Sequence, residues 1–313
     1  DGGAVDEAFE ELARFWDAYL SRLQVETPDA SMNRMLNVHN PRQCHTTKNW
    51  SRYLSLYQLG LGARGIGFRD SAQDVMGVLA HMPEEAKLLI RQLLHVQKRD
   101  GSAMHQYNPM SMEANEGDSR EIEEAPKYYS DDHLWVILAI GAYLKETGDF
   151  GFLDDVVPYY EKDRDGRPIE SGTVMDHIRR GIAFTRGHVG RRGLPLLGFA
   201  DWNDTVNLAA GAESLFTASL YGKALLELIE LARHLGDAAM AETYTVYYED
   251  MKARVNQHAW DGGWYIRYFD AAGAPLGSKA NAAGKIFTNG QSWPVIAGFA
   301  TPERAAKALD AVY

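Results

Sequence analysis

The chain has 313 residues, of which 45% are hydrophobic and 24% charged, which predicts a globular fold with room for one large domain or two modest ones. Its formal net charge of -11 and its lack of any lysine or arginine run argue against nucleic acid or an anionic membrane as the main partner. The single cysteine, Cys44, excludes an intramolecular disulfide, and no apolar run is long enough for a membrane span. These features lead us to expect a cytoplasmic location.

Helical periodicity dominates the chain from its first residues. Residues 4–23 carry apolar side chains three and four positions apart, including Phe9, Leu12, Trp16 and Leu20, and this spacing predicts an amphipathic helix. The same spacing predicts further helices over 48–60, 71–81, 84–98, 131–147, 173–187, 213–235, 238–258, 290–299 and 302–313.

Two junctions between predicted helices share one pattern. Gly148 and Gly236 are each placed to end a helix, and Asp149 and Asp237 follow them as caps for the next segment. Short turns of this kind indicate helical hairpins packed in series, as in solenoids or in barrels of inner and outer helices. Alternation over residues 264–270, followed by a turn-rich stretch, predicts one small β-hairpin inserted between helices.

The glycine-rich stretch "GARGIGFRDSAQD", residues 62–74, leads into a predicted helix that begins with Asp70 and Asp74. One interpretation is a flexible turn followed by an acidic helix cap. The other is a site for an anion or for sugar hydroxyls, because Arg64 and Arg69 offer forked donors beside a helix N-terminus. A phosphate loop of the Gly-Lys-Ser/Thr type is absent from this stretch.

Two more loops carry polar side chains between helices. His105 lies in "MHQYN", where a lone histidine is more often structural than catalytic. Residues 130–132, Ser-Asp-Asp, precede an apolar helix and either cap it or line a cleft. The histidines form no His-Glu-x-x-His pattern and cysteine pairs are absent, so we expect no metal.

The stretch "GFADWNDTVNL" places Asp201 and Asp204 on either side of Trp202 and Asn203. One interpretation is an Asx-type turn closed by its own carboxylates. The other is a sugar site, in which the indole stacks on a pyranose, amide and carboxylate bind hydroxyls, and a carboxylic acid protonates a departing glycosidic oxygen. The spacing does not distinguish which aspartate is the acid.

Five stretches together resemble the cellobiose phosphorylase family of inverting β-glucoside phosphorylases, glycoside hydrolase family ninety-four. They are "NWSRYLSLYQLGLGARGIGFRDSAQD", "DGSAMHQYNP", "YYSDDHLWVILAIGAYLKETGDF", "GLPLLGFADWNDTVNL" and "GKIFTNGQSWPVIAG". The resemblance covers nearly the whole chain and implies an all-α (α/α)6 barrel. Residues 1–25 would be a linker helix and residues 26–313 the catalytic barrel, incomplete at its C-terminal part.

The activity that the resemblance implies is reversible phosphorolysis of a β-linked glucose disaccharide or oligosaccharide, which releases α-glucose 1-phosphate. Asp204 would be the general acid, Trp202 would line the subsite of the transferred glucose, and Asn203 would contact substrate. Inorganic phosphate is the co-substrate, and no other cofactor is expected. Because phosphate is already an anionic nucleophile, one acid suffices, whereas an inverting hydrolase needs a second carboxylate to activate water.

The resemblance also implies that residues in and around the "FRD" motif form one wall of the site, where they contact sugar and phosphate. Arg69 would contact phosphate and Asp70 glucose, with Arg64 and Asp74 as further members. The family's histidine and threonine–glycine contributions to phosphate binding have no match in this chain. The loop after "DWND" is shorter than in cellobiose-specific members, so the resemblance does not specify the acceptor sugar.

Three alternatives to a phosphorylase remain: an inverting hydrolase, a module of a cyclic glucan synthase, and a non-catalytic helical scaffold. The sequence is also compatible with a homodimer.

Overall fold

Helices make up most of the chain in a computed structural model, which describes residues 2–52, 65–206 and 208–313. The α-helices of these ranges are α1 Gly2–Leu20, α2 Ala30–Arg34, α3 Asn40–Thr46, α4 Phe68–Val78, α5 Pro83–His95, α6 Asp132–Thr147, α7 Val174–Gly187, α8 Leu215–His234, α9 Ala238–His258, α10 Thr288–Ile296 and α11 Pro302–Asp310. Two π-helical turns, Met35–His39 and Thr47–Ser51, follow α2 and α3, and 3₁₀ turns span Gly117–Glu121 and Phe150–Asp154.

The helices alternate between buried and half-exposed ones. Helices α6 and α8 are buried on almost every side, and α4, α6, α8 and α10 pack against one another in chain order. Helices α5, α7 and α9 bury one face each, and they pack outside the first set. This alternation of inner and outer helices confirms the predicted all-α architecture of helical hairpins of the (α/α) barrel type.

The predicted junction signals are present in the structure, with one difference. Gly148 ends α6 with φ of 68°, and Gly236 follows α8 with φ of 73°, a backbone region in which glycine has no steric penalty. Asp237 caps α9 by accepting the N–H of Met240 at 2.9 Å. Asp149 caps no helix with its side chain, because it binds Lys87 and Tyr143 instead.

Strands are limited to three small antiparallel sheets in the described ranges. They are formed by β1 Ile66–Gly67, β2 Gln106–Tyr107 and β3 Ala114–Asn115, by β4 Val156–Pro158 and β5 Ser171–Thr173, and by β6 Glu213–Ser214, β7 Tyr268–Phe269 and β8 Pro275–Leu276. The predicted hairpin near residues 264–270 is present as β7 and β8, with Tyr268 opposite Leu276. Strand β6, directly before α8, adds a third strand to it.

The segment before residue 53 differs from the prediction. A helix was predicted over 48–60, of which residues 53–60 lie outside the described ranges, whereas the chain is already helical from Ala30 to Ser51. Asp29 caps this segment by accepting the N–H groups of Ser31 and Met32. Its sequence has no helical apolar stripe, and Met32 is 50% exposed.

None of the helices in the described ranges is both long and apolar enough to cross a bilayer.

Candidate active site

The N-terminal ends of the inner helices α4, α6 and α8 meet at one place. Arg69 is the second residue of α4, Asp131 precedes α6, and Ser214 caps α8 by accepting the N–H of Thr217. The loop that carries "DWND" contacts all three ends. Asp201 accepts a hydrogen bond from Ser214 Oγ at 2.6 Å, Asp204 accepts one from Arg69, and the carbonyl of Ala200, just before the motif, accepts the N–H of Ser130 at 2.9 Å. The helix ends bring together residues that lie far apart in the sequence.

Arg69 is the side chain that connects these elements. Its Nε and Nη2 bind the two oxygens of Asp131 at 2.8 and 3.2 Å, and Nη2 also donates to the carbonyl of Asp201 at 3.0 Å. Its Nη1 donates to Asp204 Oδ1 at 3.0 Å and to the carbonyl of Trp202 at 3.4 Å. All five N–H groups of the guanidinium therefore face protein oxygens.

Burial and charge act against each other in this cluster. Burial would lower the pKa of Arg69, but Asp131, Asp132 and Asp204 raise it well above its ordinary value, so the guanidinium stays charged. Burial raises the pKa of Asp131. The negative charges of Asp132 and Asp201 raise it further, and the positive charge of Arg69 lowers it. The fork of Arg69 on Asp131 is a bidentate ion pair in a site closed to solvent.

Asp201 is a structural residue of the loop. Its side chain is fully buried, and its carboxylate binds Arg267 at 2.7 Å and accepts hydrogen bonds from Ser214 and Tyr268. Burial works against ionisation, yet Arg267 and the hydrogen bonds lower the pKa of Asp201 below its ordinary value. The N–H of Asn203 donates to Asp201 Oδ1 at 3.0 Å, so the Asx-type turn that the sequence allowed is present.

Asp204 and Trp202 lie on the open side of the same loop. The side chain of Asp204 is 51% exposed, and Trp202 is 49% exposed. One carboxylate and one indole are thus available to a ligand, whereas Asp201 is not. Exposure separates the two aspartates that the local spacing left equivalent.

The remaining residues of the predicted wall occupy a neighbouring face of α4. Asp74 accepts a hydrogen bond from Arg52 Nε at 2.8 Å, and Asp70 lies 3.5 Å from Arg52 Nη1. The side chain of Asp70 is 36% exposed and that of Asp74 only 9%. Burial raises the pKa of Asp74, against the effect of Arg52. Arg64 lies outside the described residues.

Sequence reasoning missed Arg267 as a partner of this cluster and left the role of Asp131 open. Asp131 was interpreted as part of a cap or cleft, and Arg267 lies in the strand sequence "WYIRYFD" without having been assigned any role. An arginine within an aromatic strand predicts a buried ion pair, because a buried guanidinium requires a carboxylate partner. Within residues 2–52, 65–206 and 208–313, no three His, Cys, Asp or Glu side chains are grouped as metal ligands.

Comparison with known proteins gives consistent matches. The pattern of the "Glycosyl hydrolase 94 superfamily, catalytic domain" matches residues 15–313. An N,N'-diacetylchitobiose phosphorylase of Vibrio furnissii is 32% identical over 100% of this chain and 40% of its own length. A solabiose phosphorylase of Paenibacillus borealis is 33% identical over 99% and 37%. This chain therefore spans less than half the length of these relatives.

A solved structure shares the fold. A rhamnosidase from Klebsiella oxytoca superposes with a TM-score of 0.59 at 14% identity, over 91% of this chain and 47% of the rhamnosidase. At this identity the likeness concerns the helical architecture alone.

Proposed function

Because this chain belongs to the glycosyl hydrolase 94 superfamily, we propose that it carries out reversible, inverting phosphorolysis of a β-linked glucose disaccharide or oligosaccharide. The products are α-glucose 1-phosphate and a shortened acceptor. The observation that carries the proposal is the contrast within "DWND": Asp204 is half exposed beside an exposed indole and is held by Arg69, while Asp201 is buried.

Asp204 is the general acid in this proposal. It gives its proton to the glycosidic oxygen as the bond from that oxygen to the anomeric carbon breaks. An oxygen of inorganic phosphate attacks the anomeric carbon from the opposite face, which inverts the configuration from β to α. The Asp204 carboxylate that remains is restored by a proton from solvent or from the next acceptor.

The burial of the carboxylates around Arg69 other than Asp204 favours phosphorolysis over hydrolysis. An inverting hydrolase needs a second carboxylate about 6.5–9.5 Å from the acid to activate water. Asp131, Asp132 and Asp201 surround Arg69, but their side chains are fully buried and occupied by protein partners or closed to solvent. Phosphate needs no base, because it arrives as an anion.

Trp202 provides the platform for the transferred sugar, since an exposed indole stacks on the apolar face of a pyranose. Asn203 and Asp70 are partly exposed and contribute hydrogen-bonding groups to the hydroxyls. Arg64 and Asp74 remain proposed as weaker contacts with the substrate. The phosphate contact predicted for Arg69 would require one of its hydrogen bonds to open, so its contacts favour a role in holding Asp204 over a role as phosphate ligand.

The test is an assay of the purified full-length protein with β-1,4-, β-1,3- and β-1,2-linked glucose disaccharides and with N,N'-diacetylchitobiose. Each sugar is incubated with and without phosphate, and the anomer of the product is read by NMR. We expect an α-sugar 1-phosphate that forms only when phosphate is present. Sugar release without phosphate would identify a hydrolase. Absence of both binding and turnover across the panel would indicate a non-catalytic scaffold.

A further inference from the structure

His105 and Asp132 form a buried pair next to the proposed acid. The His105 Nδ1 lies 2.9 Å from Asp132 Oδ2, and the Asp132 side chain is fully buried. The imidazole stacks on Tyr129 with ring centroids 3.5 Å apart and an interplanar angle of 9°. The carbonyl of His105 accepts the N–H of Phe68 at 2.9 Å, so this histidine is also tied by its backbone to the start of the helix that carries Arg69.

The second oxygen of Asp132 connects this pair to Arg69. Asp132 Oδ1 is buried, has no hydrogen-bond partner among the described residues, and lies 3.6 Å from Arg69 Nη2. That nitrogen already donates to Asp131 and to the carbonyl of Asp201. Asp132 therefore attracts Arg69 through charge alone, in competition with Asp204, which is bound by Nη1.

We propose that His105 is a positioning residue for the proton transfer: as an imidazolium it neutralises Asp132, leaves the charge of Arg69 available to Asp204, and so sets the acidity of Asp204. The inference rests on the function proposed above, in which Asp204 is the acid. His105 touches neither the sugar nor the phosphate in this role.

The charges around His105 support this assignment. Burial alone would lower the pKa of His105, but Asp132 and Asp204 raise it above its ordinary value, with Arg69 acting in the opposite direction. Within the described ranges, the titratable side chain stacked on the His105 ring is Tyr129, whose pKa is raised by burial. The Asp132 carboxylate 2.9 Å from Nδ1 thus favours the charged imidazolium over the neutral ring.

Replacing the histidine by a neutral hydrogen-bond donor tests the inference. His105→Gln keeps an N–H for Asp132 but leaves that carboxylate uncompensated near Asp204. An added negative charge favours the protonated form of Asp204, so the alkaline limb of the pH profile of kcat/KM moves to higher pH. We expect a shift of about 1 pH unit, which corresponds to a change of about 1.4 kcal/mol in the interaction between the two groups.

A double variant provides the decisive comparison. In His105→Gln with Asp132→Asn the pair is again neutral, so the alkaline limb returns to its wild-type position even where kcat/KM is lower at every pH. His177→Gln is the matched control, because His177 is buried and stacked on Tyr159 at 4.1 Å but binds the amide of Gln97 in place of a carboxylate. Its alkaline limb stays unchanged.

The outcomes separate this inference from the proposed function. The positioning role would be overturned if the alkaline limb of the pH profile did not shift in His105→Gln, or if it stayed shifted in the double variant. Neither result would contradict phosphorolysis itself. If the double variant does not fold, His105→Gln alone still decides, because a purely structural loss lowers kcat/KM without moving the limb. Full turnover by Asp204→Asn would instead overturn the proposed function.

Discussion

Arg69→Lys is the substitution that most clearly tests how the site is assembled. The guanidinium makes five hydrogen bonds, to Asp131 twice, to Asp204, and to the carbonyls of Asp201 and Trp202. A lysine keeps the charge but has one nitrogen with three hydrogens, so at least two bonds are lost. Hydrogen bonds to charged groups contribute about 1.5–3 kcal/mol each, so the loss of two such bonds should lower stability by about 3–6 kcal/mol.

The catalytic effect follows from the same contacts. Without Nη1, nothing in the described contacts holds Asp204 and the carbonyl of Trp202 together, and misplacement of a catalytic group by about 1 Å costs on the order of 10²-fold in rate. We therefore expect kcat to fall about 10²-fold while the KM for phosphate changes less than about 2-fold, since Arg69 has no donor to spare for phosphate.

The assay is initial-rate phosphorolysis at varied phosphate and varied sugar, together with a thermal unfolding curve. Arg192→Lys is the matched control, because Arg192 binds the buried Glu213 at 3.1 Å and the carbonyl of Gly273 at 2.8 Å. That variant should lose stability but retain kcat. A selective rise in the phosphate KM of Arg69→Lys, with kcat unchanged, would refute this reasoning and favour the phosphate contact that the family resemblance implies for Arg69.

Three further outcomes are expected. Asp201→Asn should lower the Tm strongly, because it leaves Arg267 buried without its carboxylate at a cost of about 3–5 kcal/mol. Asp204→Asn should change the Tm little, and the reverse ranking would contradict the structural role of Asp201. Trp202→Ala should raise the sugar KM about 5-fold and Trp202→Phe much less, as stacking contributes about 1 kcal/mol. Equal KM values in the wild type and Trp202→Ala would show that the indole does not contact the sugar. Burial lowers the pKa of His177 to about 4, so the unfolded chain binds a proton below about pH 6.5 that the folded chain does not, and stability should fall between pH 6.5 and 4 with a smaller slope in His177→Gln.

The inner and outer helices could be predicted from the sequence because the outer helices bury one apolar face each, while α6 and α8 are apolar over most of their surface. The apolar period over 131–147 and 213–235 corresponds to α6 and α8, whose burial generates the pattern. The helical segment from Ala30 to Ser51 buries few of its apolar side chains, so it leaves no such period. Most strands of the three sheets have two residues, too few for an alternation to be recognised.

The candidate site was predictable in its residue types but not in its pairings. "DWND" and "FRD" mark chemistry locally, yet Arg69 finds Asp131 across 62 residues and Asp201 finds Arg267 across 66. Such contacts depend on how the helix ends meet, which a local pattern does not contain. The separation of a buried Asp201 from an exposed Asp204 is likewise a result of packing, since both flank the same tryptophan.

The central claim is that Asp204 supplies the proton to the leaving oxygen, and the most direct measurement compares two leaving groups in Asp204→Asn. With a disaccharide and phosphate, the variant should lose about 10²–10⁴-fold in rate, the usual contribution of a general acid. With the 2,4-dinitrophenyl β-glycoside of the same sugar and phosphate, the leaving group needs no proton, and the variant should approach the wild-type rate. An equal loss on both substrates, or no loss on the disaccharide, would contradict the account.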